Sequence, residues 1–176
     1  PEPYSRSFWR NHAAWPLLAF GLAFGTIEIF GLDPLIANGW SFDVLTGRWL
    51  GTGAGDWWAH RLLHDDGRWV VRAIAAAACV LWIGAFHVEA WRGLRQRAGF
   101  VALGMIAAVV VVGALKAITN VNCPWALAGF GGHEPYVPLF AHRPAYLPPA
   151  KCFPGAHSAS GFSLLCFYFA WRDHAP

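Results

Sequence analysis

Residues Ala98–Ala117 read AGFVALGMIAAVVVVGALKA, an unbroken apolar stretch whose one charge, Lys116, stands at its end. About 20 mainly apolar residues suffice for a helix to cross the hydrocarbon core of a bilayer. Two other stretches meet the same requirement. Ala13–Leu32 carries Glu28 as its one charge, and Trp69–Val88 has Arg72 and His87 near its two ends. Ser158–Trp171 is shorter: alone it reads as a buried core helix, and it becomes a span if its start is recessed in the protein. The fold class is therefore all-α, an integral membrane helical bundle. Four spans are visible of an expected six, with long outward-facing loops, in a single domain over residues 1–176.

Composition agrees. The chain is 56% hydrophobic and 13% charged, whereas soluble domains average about 25% charged. Its 11 Trp suit membrane–water interfaces, where an apolar ring with one polar N–H is at home. The net charge of +3 comes without a basic run, which excludes a nucleic-acid partner. The chain does not begin with Met and is read as a fragment. The first apolar run has no small-residue cleavage site behind it, so it is expected to remain as a span.

Charge sets the orientation. The short connection Glu89–Arg97 holds Arg92, Arg95 and Arg97, whereas the long connection Asp33–Arg68 holds three Arg against five Asp. The positive-inside rule places the short connection in the cytoplasm, together with Arg6, Arg10 and Arg172. Residues 33–68 and 118–156 then face the periplasm or exterior, which suits a bacterial inner (plasma) membrane. In the first outer segment Trp40, Trp49, Trp57, Trp58, Leu62 and Leu63 predict an interfacial structure, with a short surface helix over Trp57–His64. The second is rich in Pro and Gly, and its aromatic residues predict an ordered lid.

Two charged or titratable groups flank that lid. Lys116 closes the third span and is followed, after Ala-Ile-Thr-Asn-Val-Asn, by Cys123-Pro124-Trp125; Lys151-Cys152-Phe153-Pro154-Gly155-Ala156-His157-Ser158 opens the fourth helix. A helix start offers free N–H groups and a positive dipole end to an anion. Small residues at 155 and 156 let a phosphate approach the backbone. An imidazole titrates near neutral pH and can protonate a leaving alkoxide. Each residue alone has a plainer reading: Lys116 snorkelling to the interface, His157 as a cap or polar contact. It is their pairing across one outer loop that points to a site.

These residues resemble the type 2 phosphatidic acid phosphatase family, which shares its core with the vanadium haloperoxidases. The family's first motif is Lys, six residues, then Arg-Pro; here Lys116 and Pro124 match, and Cys123 replaces Arg. The second is Pro-Ser-Gly-His; Pro154 and His157 match, and Gly155 and Ala156 replace Ser-Gly. The third, Ser-Arg, five residues, His, three residues, Asp, is absent, so its His, Asp and Arg are expected beyond residue 176. The stretch His64–Arg68 also resembles the family's layout, weakly.

The resemblance implies a membrane phosphatase that acts on a lipid phosphomonoester or diphosphate at the outer leaflet through a phosphohistidine. It implies no cofactor and no metal, and as partners a lipid phosphate and the bilayer. By position His157 is the general acid and Lys116 a phosphate ligand. The Gly155 and Ala156 amides bind equatorial oxygens, and Ser158 offers a hydroxyl. Arg143 and Lys151 are candidates for the missing Arg. Phosphatidic acid, phosphatidylglycerol phosphate, undecaprenyl diphosphate and lipid A are the candidate substrates. A lipid phosphotransferase, an inactive member that binds lipid phosphate, and a haem carrier ligated by His87 and His157 are the rival readings.

Cys123 and Cys152 both face an oxidising compartment, where a disulfide can form. Cys79 and Cys166 fall within spans as small buried hydrophobes. Glu28 is expected to meet a neighbouring Arg or interfacial backbone. Arg72 and His87 are expected at the interface. His60 and His64 are spaced i, i+4, but surface contacts are the plainer reading than zinc. His133-Glu134 is a candidate head-group contact.

Overall fold

The computed structural model describes residues 5–50, 61 and 65–172. It is mainly helical: α1 Arg6–Trp9, α2 Trp15–Phe30, α3 Leu32–Trp40, α4 Gly67–Gly84, α5 Arg95–Thr119, α6 Ala156–Ser163 and α7 Leu165–Trp171. One small antiparallel ribbon joins β1 (Phe42–Asp43) to β2 (Arg48–Trp49). Among the described residues three helical stretches are long and apolar enough to cross a membrane: Arg6–Phe30, Gly67–Gly84 and Glu89–Ala126. The expected surface helix Trp57–His64 lies, apart from Arg61, outside the described residues.

The first stretch runs from α1 into α2 through a wide π turn at Arg10–Ala14. Pro16 explains that turn. It has no N–H to return to residue 12, and its ring clashes with that carbonyl, so the helix widens ahead of it. Gly31 ends α2 at φ 59, a left-handed conformation that glycine adopts without a Cβ penalty. No residue of α2 is buried. Ile29 is 80% exposed and Val109 on α5 is 69% exposed. Apolar surface of this extent is covered in a bilayer rather than left to water.

The helices touch through small residues. Ala78 of α4 packs with Val101, Ala102 and Met105 of α5, flanked by Trp82, Leu164 and Cys166. A Cβ on Gly99 would come within 2.6 Å of Trp82 Nε1, and one on Gly104 within 2.5 Å of Cys166 Sγ. Close backbone approach of this kind is how helices associate in lipid, where apolar burial gives little drive. Cys79 and Cys166 are free thiols, partly buried against this core.

The fourth apolar stretch is broken. α6 has 8 residues and α7 has 7, meeting at Leu164. Ser160 Oγ donates to Ala156 O and Ser163 Oγ to Ser160 O. Serine hydroxyls that bond back to the helix compete with its ladder and bend it. The expected single fourth helix is thus two short consecutive helices.

The two outer segments pack on each other. Phe42 and Trp49 of the ribbon meet Leu127 and Phe130 of the long loop in a second buried cluster. Asp43 Oδ1 accepts from Leu45 N at 2.9 Å, and Asp43 Oδ2 accepts from Thr46 Oγ1 at 2.8 Å, closing the ribbon's turn. These bonds favour the charged carboxylate and lower the Asp43 pKa. Glu28 Oε2 accepts from Leu139 N, so of the two expected partners for Glu28 the structure shows loop backbone.

Candidate functional site

Lys116 sits on the last turn of α5, which ends at Asn120 in a left-handed conformation, φ 50. Asparagine tolerates that conformation better than most residues. The chain then runs beside the strap that leads into α6. Asn120 Oδ1 accepts from Ala150 N at 2.7 Å, and Val121 O accepts from Cys152 N at 3.0 Å. Thr119 Oγ1 donates to Phe153 O. Lys116 Nζ donates to Lys151 O at 2.9 Å and Cys152 O at 3.3 Å. Cys123 and Cys152 form a disulfide across the same seam. The segments carrying the two motifs are therefore laced along their length. Thr119 and Asn120 had no separate signal in the sequence, because their partners are backbone groups some thirty residues away.

The strap delivers the start of α6. The Phe153–Pro154 peptide is cis, and Gly155 is the N-cap, with no side chain capping the helix. A helix start is where an anion can meet backbone N–H groups.

Lys116, Ala156 and His157 line one cavity of about 430 Å³. The end of α5 and the start of α6 thus contribute residues to the same pocket. Arg68 and Arg72, from the first two turns of α4, line the same cavity. Sequence reading set Arg72 down as interfacial and Arg68 as part of a weak layout match. Their i, i+4 spacing, which puts both on one helix face, was the available signal. The rest of the lining is mainly apolar: Ala75 on α4, and Met105, Ala108, Val109 and Val112 on α5, with Ser160 and Ser163 of α6.

Other candidates lie elsewhere. Gly155 lines a neighbouring cavity of about 340 Å³ with Asn122, Pro124, Tyr136 and Phe153. Ser158 lines neither; its hydroxyl is next to Gly155, 3.4 Å from where a Cβ on that glycine would stand. Arg143 also lines neither cavity. Its Nη2 donates to Asn122 Oδ1 at 3.0 Å and to Pro148 O at 2.6 Å, so it braces the loop. Lys151 is exposed, and its carbonyl, not its ammonium, points to the site by accepting from Lys116. His133 and His142 are exposed on the outer loop. His87 follows the far end of α4, so it and His157 stand at opposite ends of the bundle, which removes the geometry a haem ligated by both would need. His60 and His64 lie outside the described residues.

Tyr136 ties the loop to α3: its hydroxyl donates to Asp33 Oδ2 at 3.4 Å. Burial, reinforced by the Asp33 and Glu28 carboxylates, pushes its pKa up to about 12. At the other end of the bundle Arg97 lies over Trp171 and Arg172 over Phe8.

Searches of curated proteins and of solved structures returned no match. Residues 97–175 match the family model described as the PAP2 superfamily. The match begins on α5 ahead of Lys116 and runs through the strap and His157 to the end of α7. Through this segment, which contains both laced motifs, the chain is similar to the PAP2 superfamily.

Proposed function

We propose that this chain is the membrane-embedded part of a phosphatase that hydrolyses a phosphomonoester or diphosphate of a lipid at the outer leaflet. The superfamily match supports phosphatase-type activity. The observation that carries the lipid reading is the two-part cavity, cationic at the Lys116–His157 end and apolar along α4 and α5. From Lys116 to Met105 is eleven residues of helix, about 16 Å. That depth takes a phosphate head and the first part of a hydrocarbon chain.

In this reading Lys116, already oriented by the Lys151 and Cys152 carbonyls, neutralises charge on the phosphoryl oxygens. The amides at the start of α6 hold an equatorial oxygen. In the family this chain resembles, a histidine of the third motif attacks phosphorus. The bond from phosphorus to the lipid oxygen breaks, and His157 gives its proton to the departing oxygen. Water then attacks the phosphohistidine, His157 takes the proton back, and inorganic phosphate leaves. The basic end formed by Arg92, Arg95, Arg97 and Arg172 supports a cytoplasmic position for the opposite face, and therefore an outward site.

The test is phosphate release from a phosphatidic acid vesicle by the full-length protein. His157→Ala is expected to lower release by about 10²- to 10⁴-fold while leaving membrane insertion intact. Turnover at the wild-type rate would remove His157 from the reaction. Wild-type protein that binds orthophosphate but releases none from any lipid would leave a binding protein in place of an enzyme, the outcome that Cys123 at the family's Arg position favours.

A further inference from the structure

We infer that Arg68 and Arg72 bind the phosphate in the Lys116 cavity and supply the guanidinium contact that Cys123 cannot make. The inference rests on the phosphatase reading above and names two of its ligands.

The first argument is convergence. Arg68 and Arg72 stand one helical turn apart, about 6 Å along α4, and both line the cavity that Lys116 and His157 close from α5 and α6. The second is charge. Cations near a helix N-terminus sit at the unfavourable end of its dipole, and the first turn of α4 contains no acidic residue to offset them. Asp65 lies just ahead of the helix, 3.7 Å from Arg68 Nη2, with both side chains more than a third exposed; a pair so solvated contributes little. Asp66 beside it is exposed and makes no ion pair among the described residues. Arg72 has no carboxylate partner among the described residues and lies 4.8 Å over the Trp69 ring. Lys116 donates to two carbonyls and to no carboxylate. Arg68 Nε is buried without a hydrogen-bond partner among the described residues. Three fixed positive charges thus face one cavity with a single weak counter-charge. An anion in that cavity relieves their mutual repulsion.

The third argument is chemical fit. A guanidinium presents a planar fork that matches two phosphoryl oxygens, which an ammonium does not. Position 123, where the family has Arg, holds a sulfur bonded to Cys152. Arg143 is held by Asn122 and Pro148 away from the cavity. Arg68 and Arg72 are the guanidinium groups that line it.

The test uses full-length protein in detergent and labelled orthophosphate in equilibrium dialysis, alongside release from phosphatidic acid. Arg68→Met and Arg72→Met are each expected to weaken orthophosphate binding by about tenfold to a hundredfold, the loss of one charge-assisted hydrogen bond, and to raise KM more than they lower kcat. Arg68→Lys and Arg72→Lys keep length and charge and should lose less. Arg97→Met, at the other end of the bundle, should bind as wild type does. A double Met variant that melts with wild type and binds orthophosphate equally well overturns the inference but leaves the phosphatase intact. Orthophosphate binding that depends on both arginines, without release from any lipid, supports the inference and removes the enzyme reading. Wild-type protein that binds no orthophosphate overturns the inference.

Discussion

The two ends of the bundle are both basic and use their charge differently. At one end Arg95 lies over Phe86, Arg97 over Trp171 and Arg172 over Phe8. At the other, Arg68, Arg72 and Lys116 share a cavity with His157. Rings accompany the second set too, since Arg72 covers Trp69, so an aromatic neighbour does not tell the ends apart. Convergence does. A cation on its own ring anchors a helix at an interface, whereas several facing one space call for an anion.

The sharpest way to break this contrast is to remove charge at the converging end. Lys116→Met should reduce phosphate release by at least about a hundredfold, since it removes a phosphate ligand and frees the Lys151 and Cys152 carbonyls together. A Lys116→Met protein with near-normal kcat would make that end an anchor like its opposite. Next comes the seam. Cys123→Ser with Cys152→Ser opens a loop of 29 residues' separation, and loop-closure entropy puts the loss at about 3.6 kcal/mol. Thermal unfolding with and without reductant measures it, and alkylation after reduction should add two further labels to the oxidised protein.

Smaller effects sharpen the comparison. Arg97→Ala should cost about 0.5–1 kcal/mol through its contact with Trp171 and leave phosphate release unchanged. The smallest concerns pH. The folded Tyr136 pKa of about 12 lies above the ordinary tyrosine value of 10. The stability this proton provides is complete below pH 10 and is lost as pH rises toward 12. Tyr136→Phe should therefore flatten the alkaline limb of a melting-temperature profile between those values; an unchanged limb would deny the tie to Asp33.

Much of this was legible in the chain. Three apolar runs announced three long helices to within a few residues, because a bilayer imposes length and composition directly. That Lys116 and His157 line one cavity agrees with their places in two motifs, each beside a helix end. The break at Leu164 was not legible: it depends on Ser160 and Ser163 turning back onto their own helix, which composition does not encode. Nor was the role of Arg68 and Arg72. A span-end arginine looks the same whether it meets lipid head groups or a cavity, and only the packing of α4 on α5 distinguishes the two. Arg143 shows the opposite case: proximity in sequence to the motif suggested a ligand, and in the structure its guanidinium bonds to Asn122 and Pro148.

The seam between residues 119–123 and 150–153 has a consequence for how such proteins can diversify. It pins both stems of the intervening excursion at its base. Changes at the tip, around Gly131 or Phe140, need not be felt at Lys116 or His157. The excursion is in effect an interchangeable cartridge on a fixed socket, whose tip can vary while the cavity residues at its base stay put.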